Sequence, residues 1–264
     1  MPSSIEWTDE TWNPVTGCTR VSPGCDHCYM YALYPRLKGM GVRGYETGPD
    51  EVLLLPERLQ APLSWKKPRR VFVNSMSDVF HPRVPYDFVL EMFRVMETAA
   101  TRNGHIFQIL TKRPGRATDW WLQHEAYFPR GWPSGVWIGT SVESQKYAPR
   151  LTVLGRLPAA VRFVSAEPLL DKLDLTYWLR RDVLQWVIVG GESGPGARKM
   201  DPSWARSLRD QTIGNGVAFF LKQLGGVRDK RSGEKALLDG KLWQQYPNSA
   251  KGKCNAAHED KMES

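Results

Sequence analysis

Cysteine is scarce in this chain, with only four among its 264 residues. So few cysteines exclude the small secreted class that disulfides hold together. Long apolar runs are also absent, since none approaches the roughly 20 residues that a membrane-spanning helix needs. The N-terminus, "MPSSIEW", is too polar and acidic for a secretory signal. We therefore expect a soluble, cytoplasmic protein with no membrane partner.

Acidic residues are outnumbered by basic ones, which gives a formal net charge of +8 and a pI near 9.3. This balance favours polyanionic partners, nucleic acid among them. The basic residues are dispersed, however, so a solvated surface is an equally good interpretation of local groups such as Lys112-Arg113. Charge alone therefore makes nucleic acid an expected partner without locating a binding surface.

From residue 71 onward, short apolar and β-branched runs recur roughly every 25 to 35 residues. Runs that are hydrophobic almost throughout are typical of strands buried on both faces, as in parallel sheets. The predicted strands are 71–74, 106–110, 136–140, 161–165, 186–190 and 217–221, with a short seventh strand at 12–15.

Helical patterns alternate with these strands. The predicted helices are 86–100, 144–157 and 202–213. Alternation at this interval predicts an α/β protein of parallel strands, best described as a partial (β/α)6–7 TIM-like barrel, with a doubly wound sheet as the alternative.

The expected domain organisation is one barrel domain and a tail. The barrel spans residues 1–224 and includes a Gly- and Pro-rich excursion at 39–70. Residues 225–264 form a polar C-terminal extension, and we expect about the last fifteen of them to be disordered.

Polar residues follow every predicted strand, at the edge where parallel α/β proteins bind ligands. Three of these strand ends place a serine near a glutamate, in "SVE", "SAE" and "GES". This repetition predicts a common polar cavity. The candidate lining residues are Ser75, Asp78, His81, Lys112, Ser141, Glu143, Glu167 and Glu192.

Three of the four cysteines are gathered in the spacing Cys18-x6-Cys25-x2-Cys28, while Cys254 lies far away. One interpretation is a structural zinc site, with His27 or His81 as the fourth ligand. Another is a [4Fe–4S] cluster that leaves one iron open. Unligated thiols are a third interpretation, which the tight clustering disfavours.

The position of this motif near the start of a βα-repeat chain, with Tyr29 after the last cysteine, resembles the radical S-adenosylmethionine superfamily. In that superfamily a three-cysteine loop after the first strand of a partial barrel holds [4Fe–4S], and the open iron chelates S-adenosylmethionine. The usual spacing there is Cys-x3-Cys-x2-Cys, so the first gap of six in this chain departs from the pattern.

Longer stretches resemble a widespread family of bacterial and phage proteins that is named after two phage gene products. The stretches include "IEWTDETWNPVTGCTRVSPGCDHCYMYAL", "VFVNSMSDVFHP", "FQILTKRP" and "VIVGGESGPGARKM", and the similarity runs from about residue 4 to residue 224. The resemblance implies kinship with radical S-adenosylmethionine enzymes but supplies no substrate. It also implies a three-Cys-motif partner protein, encoded nearby, as a partner.

By this resemblance the three clustered cysteines ligate the cluster, and an external electron donor reduces it. Lys112, supported by Ser75, is the candidate for the carboxylate of S-adenosylmethionine. Ser141 and Glu143 are the candidates for its ribose.

Four further residues complete the implied cavity. Glu167 and Glu192 would contact the amino group of S-adenosylmethionine or the substrate, and Asp78 and His81 would face the substrate.

Two functions follow as hypotheses. In the first, the protein is an enzyme that cleaves S-adenosylmethionine reductively to a 5′-deoxyadenosyl radical, which abstracts hydrogen from an unknown substrate, with nucleic acid as one candidate. In the second, it is a zinc-stabilised nucleic-acid-binding protein without catalysis. Trp7 and Trp12 fit base stacking, but packing that caps the barrel is their expected role.

Overall fold

The computed structural model describes residues 5–226 and 236–247. Its contacts divide the chain into two compact units. The first contains the chain up to Ser141 together with Pro149–Ala160, and the second contains Val142–Ala148 and the chain from Val161 onward.

The first unit is built on four parallel strands in the order β1, β4, β5, β6. These strands are Glu10–Trp12 (β1), Arg70–Val73 (β4), Ile106–Thr111 (β5) and Val136–Ser141 (β6). Their register aligns Val71 with Phe107 and Phe107 with Val136. Because the strands are parallel, their carboxyl ends meet at one edge, which we call the carboxyl edge.

Two short strands, Val15–Thr16 (β2) and Leu53–Leu54 (β3), pair antiparallel beside this sheet. The predicted seventh strand at 12–15 is therefore two strands, β1 and β2, separated by Asn13 and Pro14. Proline has no N–H to donate to a ladder, so it interrupts the strand. The predicted excursion at 39–70 contains β3 and two short 3₁₀ turns, and Leu55 donates its backbone N–H to Pro14 O at 2.8 Å.

Four helices belong to the first unit: Tyr29–Gly39 (α1), Tyr86–Asn103 (α2), Pro114–His124 (α3) and Pro149–Leu154 (α4). The predicted helix at 86–100 is confirmed as α2. It ends at Gly104, whose φ of 71° allows its N–H to bond Ala100 O. The predicted helix at 144–157 was too long, because Pro149 cannot continue a preceding helix. A 3₁₀ turn over Gln145–Tyr147 and the short α4 replace it.

Buried aromatic side chains form the core of the first unit. The ring of Trp120, on α3, lies 4.2 Å from that of Phe93, on α2, and both side chains are fully buried. Trp7 and Trp12 are also buried. The two tryptophans are therefore packing residues, as expected, while their capping of a barrel stays a prediction.

The second unit has three parallel strands in the order β7, β8, β9: Arg162–Ala166, Trp186–Gly190 and Ala218–Gln223. Its helices are Thr176–Leu179 (α5) and Pro202–Gly214 (α6), and α6 confirms the prediction at 202–213. Asp201 caps α6 by accepting a hydrogen bond from the N–H of Ser203 at 2.8 Å.

Part of the polar extension belongs to the second unit. Leu237–Leu238 (β10) and Lys241–Leu242 (β11) form a hairpin, and Gln245 donates its N–H to Phe219 O, on β9, at 3.0 Å. The residues for which disorder was predicted lie outside the described residues.

The class of a mixed α/β protein with parallel strands is confirmed, with four such strands in one unit and three in the other. In the described ranges no helix is both long enough and apolar enough to cross a membrane.

Candidate functional site

The three clustered cysteines lie in the loop between β2 and α1, which we call the cysteine loop (residues 17–28). It is attached to the carboxyl edge of the first unit, because Gly17 pairs with Ser77 and donates its N–H to Met76 O at 3.1 Å. Residues 74–78 follow β4 directly. The thiols therefore lie at the edge of the parallel sheet where α/β proteins bind ligands.

Short-range hydrogen bonds shape the loop around the thiols. A 3₁₀ turn over Pro23–Cys25 brings the N–H of Cys25 to Ser22 O at 2.8 Å, and the N–H of Cys28 bonds Cys25 O at 3.3 Å. Cys28 is the N-cap of α1. All three thiols are free and half-buried. None is used in a disulfide, so each sulfur remains available as a ligand.

The surroundings of the thiols hold two of them protonated. Burial first, and then Asp78, raise the pKa of Cys18 to about 11, against the opposing charge of Arg113. Burial also raises the pKa of Cys28, which Lys112 opposes. Negative charge on Cys25 raises the pKa of both Cys18 and Cys28, so the sulfur of Cys25 lies within electrostatic reach of the other two. A group that binds the thiolates must therefore supply positive charge.

The described residues offer no preformed site for a single metal ion. Within residues 5–226 and 236–247, no three His, Cys, Asp or Glu side chains are arranged so that they could hold one ion. Zinc requires its thiolates to converge at about 2.3 Å from one centre. A [4Fe–4S] cluster distributes its cysteines over different irons, so their sulfurs need not converge on one point.

His81 has no nitrogen left for a metal. Its side chain is buried, and its Nδ1 accepts the backbone N–H of Arg83 at 3.1 Å. The proton of the neutral ring is therefore on Nε2, which donates to Thr19 Oγ1 at 2.8 Å. Burial first, and then Arg113, lower the pKa of His81 to about 4. His27, the other suggested zinc ligand, is exposed.

Asp78 is buried and its carboxylate is saturated by four donors. Oδ1 accepts from Thr111 Oγ1 at 2.7 Å and from the N–H of Phe80 at 3.0 Å. Oδ2 accepts from the N–H of Lys112 at 3.1 Å and from Arg113 Nη1 at 2.9 Å. Asp78 lies at the carboxyl edge just after β4, as its strand-end position in the sequence predicted, while its contact with a substrate stays a prediction.

Arg113 is the first of two residues at this edge that the sequence did not single out. Its side chain is only 11% exposed, and it reaches Asp78, Thr19 and the sulfur of Cys18. The available signal was its position after Lys112 at the end of a predicted strand. Only tertiary structure shows that Arg113, and not Lys112, enters the buried ion pair.

Lys112 is half-buried, and its positive charge acts on the thiol of Cys28. Ser75 donates its hydroxyl to Asn13 Oδ1 at 3.2 Å, while Ser75 O accepts a hydrogen bond from the hydroxyl of Tyr29. Tyr29 follows Cys28, so it ties the cysteine loop to the turn after β4. The structure thus brings both predicted carboxylate ligands to the carboxyl edge near the thiols.

Asn74 is a second residue that the sequence did not single out. It lies at the end of β4 in a left-handed conformation, with φ of 59°, and it is 2% exposed. Neither atom of its side-chain amide has a hydrogen-bond partner in the described part of the protein. A buried amide without hydrogen bonds lowers the stability of the folded state unless a water or a ligand bonds to it.

Ser141 ends β6 at the same edge of the first unit and is buried. The three predicted glutamates belong to the second unit. Glu143 is buried and its backbone oxygen accepts the N–H of Leu170 at 2.9 Å. The predicted roles of Ser141 and Glu143 toward ribose stay predictions.

Glu167 and Glu192 follow β7 and β8, and each already binds a cation of its own unit. Glu167 Oε1 lies 2.5 Å from Lys222 Nζ. Glu192 accepts from Arg198 Nη2 at 2.6 Å and from Arg198 Nε at 3.0 Å. A ligand amino group would have to displace or share these partners, and neither cation was predicted from the sequence.

Comparison with known protein families gives one match, to the family described as "Protein of unknown function (DUF5131)", over residues 2–247. The chain belongs to the DUF5131 family. No curated protein matches it, and no solved structure does.

The DUF5131 match covers the whole cysteine loop and every candidate residue at the strand ends, whereas Cys254 lies beyond it. Membership of a family without an established activity is therefore confirmed. The description of DUF5131 names no cofactor, no activity and no phage origin. The kinship with radical S-adenosylmethionine enzymes stays a prediction.

Proposed function

We propose that this DUF5131 protein is a radical S-adenosylmethionine enzyme built on a partial (β/α) barrel, in which Cys18, Cys25 and Cys28 hold a [4Fe–4S] cluster. The observation that carries the proposal is the cysteine loop itself. Three free, half-buried thiols lie at the carboxyl edge of a parallel sheet, and the middle one, Cys25, is within electrostatic reach of both others.

The chemistry of the donors supports this group. Thiolates are soft ligands that suit iron–sulfur clusters, and three of them leave one iron free for another ligand. When bound, the cluster would supply the electron that cleaves S-adenosylmethionine to methionine and a 5′-deoxyadenosyl radical, which abstracts hydrogen from the substrate.

Two polar side chains at the same edge, Lys112 and Asn74, support a small polar ligand beside the loop. The half-buried ammonium of Lys112 can pair with a carboxylate, and the methionyl part of S-adenosylmethionine carries one. The buried amide of Asn74 offers one donor group and one acceptor. Burial of the Asn74 amide strengthens its interaction with a ligand relative to that in water.

The proposal extends to location and partners. Free thiols are maintained in a reducing cytoplasm, and reduction of the cluster needs an external electron donor. Nucleic acid, suggested by the net charge of +8, and a three-Cys-motif partner protein remain the proposed macromolecular partners.

Anaerobic reconstitution with iron and sulfide tests the cluster directly. We expect a brown protein with about four irons and four sulfides per chain, and formation of 5′-deoxyadenosine after addition of S-adenosylmethionine and a reductant. Mass spectrometry measures the nucleoside, and elemental analysis measures the metal.

Matched cysteine variants sharpen the test. Cys25→Ala should lose the iron and the 5′-deoxyadenosine, whereas Cys254→Ala, outside the loop, should retain both. The proposal is wrong if purified protein holds one zinc and no sulfide, or if Cys25→Ala keeps its full iron content. One zinc would instead favour the non-catalytic nucleic-acid-binding alternative.

A further inference from the structure

The guanidinium of Arg113 joins three parts of the first unit. Its Nη1 donates to Asp78 Oδ2 at 2.9 Å and lies 3.9 Å from the sulfur of Cys18. Its Nη2 donates to Thr19 O at 3.0 Å and to Thr19 Oγ1 at 3.1 Å. One side chain from the residue before α3 thus binds the turn after β4 and the first part of the cysteine loop.

Asp78 holds this guanidinium in place. Both residues of the ion pair are nearly excluded from water, at 11% and 7% side-chain exposure. The remaining lone pairs of Asp78 face donors from Thr111, Phe80 and Lys112. The carboxylate is therefore fixed from four directions, and the planar fork of Arg113 has one available orientation.

Burial of an ion pair is weak evidence for a role in stability. The free energy lost when both charges leave water can equal or exceed the free energy gained from their attraction. The orientation of this pair points to another role. The carboxylate is surrounded by its own donors, while the guanidinium faces the Cys18 sulfur and the backbone of Thr19. A thiolate at Cys18 would lie beside a fixed positive charge.

We propose that Arg113, held by Asp78, is a positioning residue for the cysteine loop. It fixes Thr19 by hydrogen bonds and places its positive charge beside the sulfur of Cys18. The part of the inference that concerns a bound cluster rests on the proposed function, whereas the part that concerns the loop does not. No contact of Arg113 with a substrate is implied.

Two effects follow, and they are separable. The hydrogen bonds to Thr19 order the loop before any metal binds. The charge beside a ligating thiolate stabilises the reduced, more negative form of a cluster and so makes its reduction potential less negative.

Three proteins separate these effects: the wild type, Arg113→Gln and Arg113→Lys. In the metal-free state, hydrogen exchange of residues 17–28 should accelerate about tenfold or more in both variants, since one charge-assisted hydrogen bond corresponds to that factor. After anaerobic reconstitution, the potential of Arg113→Gln should be more negative than that of the wild type. Arg113→Lys keeps the charge without the fork, so its potential should remain near the wild-type value.

Arg94→Gln is the matched control, because it removes an arginine from an exposed ion pair with Glu91 on α2 of the same unit. It should change neither quantity. Unchanged loop exchange in Arg113→Gln would overturn the inference, and so would equal acceleration throughout α2 and β5, which indicates general destabilisation.

If Arg113→Gln does not fold, Arg113→Lys decides the loop effect. If wild-type protein binds no cluster, the proposed function fails, while exchange in the metal-free protein still decides whether Arg113 positions the loop.

Discussion

Burial raises the pKa of Cys18 to about 11 and also raises that of Cys28, so both thiols keep their protons at neutral pH while no metal is bound. Ligation by a cluster requires the thiolates, and binding must therefore release protons. Arg113 near Cys18 and Lys112 near Cys28 lower the cost of this deprotonation. At the scale of single residues, the thiols of the loop can bind a positively charged group once they lose their protons. Without such a group they stay protonated and are weak nucleophiles.

His81 makes the stability of the protein depend on pH. Its pKa is lowered to about 4 by burial, Arg113, Arg83 and Arg116, against the opposing charge of Asp78. The unfolded chain binds this proton near pH 6.5, so between pH 6.5 and 4 the unfolded state holds more protons. The stabilisation from neutral His81 is complete above pH 6.5 and falls by up to about 3 kcal/mol as the pH drops to 4.

Urea unfolding between pH 4 and 7.5 measures this dependence. In His81→Gln the free energy of unfolding should decline less steeply over the same interval, because the buried titrating group is gone. Parallel curves for the two proteins would show that His81 is not the source of the dependence.

Strand-end position was enough to predict that Asp78, Lys112 and Ser75 lie at the carboxyl edge, because polar residues directly after parallel strands share one edge. The pairing of Asp78 with Arg113 was not predictable. Residues 78 and 113 meet only through the β4–β5 register, and no local pattern states which of two adjacent cations turns inward.

At the scale of elements, Gly17 allows the start of the cysteine loop to pack closely against the chain just before β3. Its φ is 80°, and a Cβ built there would lie 1.9 Å from Glu51 O. Cys18 donates its N–H to Pro49 O at 2.9 Å in the same contact. Only glycine accepts both this conformation and this approach.

Gly17→Ala should therefore destabilise the protein by about 3 kcal/mol, through left-handed strain and overpacking, and should reduce iron uptake on reconstitution. Gly39→Ala is the control, because Gly39 is exposed in α1 and a Cβ there meets nothing within 4 Å. It should stabilise the protein by up to about 1 kcal/mol. Equal midpoints of urea unfolding for the two variants would contradict this account.

The elements that were predicted well are those whose pattern is local. The β-branched runs at 106–110 and 186–190 became β5 and β8, and the 3.6-residue periodicity of 86–100 became α2. Residues 39–70 were predicted only as an excursion, and none of the elements within them was predicted. Its order comes from long-range contacts such as Arg83 Nη1 to Asp50 O at 3.2 Å, which no periodicity encodes.

At the scale of the whole molecule, the rhythm of apolar runs predicted parallel α/β architecture correctly, since each run buries both faces of a strand. The division of the chain into two compact units was not predicted, because the same rhythm runs through both. Composition likewise gives a net charge of +8 without showing a partner.

The distribution of the site over these units yields a last prediction. All three cysteines, Arg113 and Asp78 belong to the first unit. A group that binds only the folded state stabilises it by mass action, so reconstituted protein should have a higher Tm than metal-free protein. Removal of the cluster by oxidation and chelation should reverse the gain, and Cys25→Ala should show no gain.

Hydrogen exchange locates this effect within the chain. Loss of the cluster should weaken protection mainly in the cysteine loop, in residues 74–83 and at the start of α3, because the contacts of the thiols and of Arg113 reach those segments. Strands β7, β8 and β9 should keep their protection, because they belong to the second unit, whereas all three cysteines, Arg113 and Asp78 belong to the first. A uniform loss over both units would mean that the cluster stabilises the fold as a whole, and the local role argued for Arg113 and the loop would then be wrong.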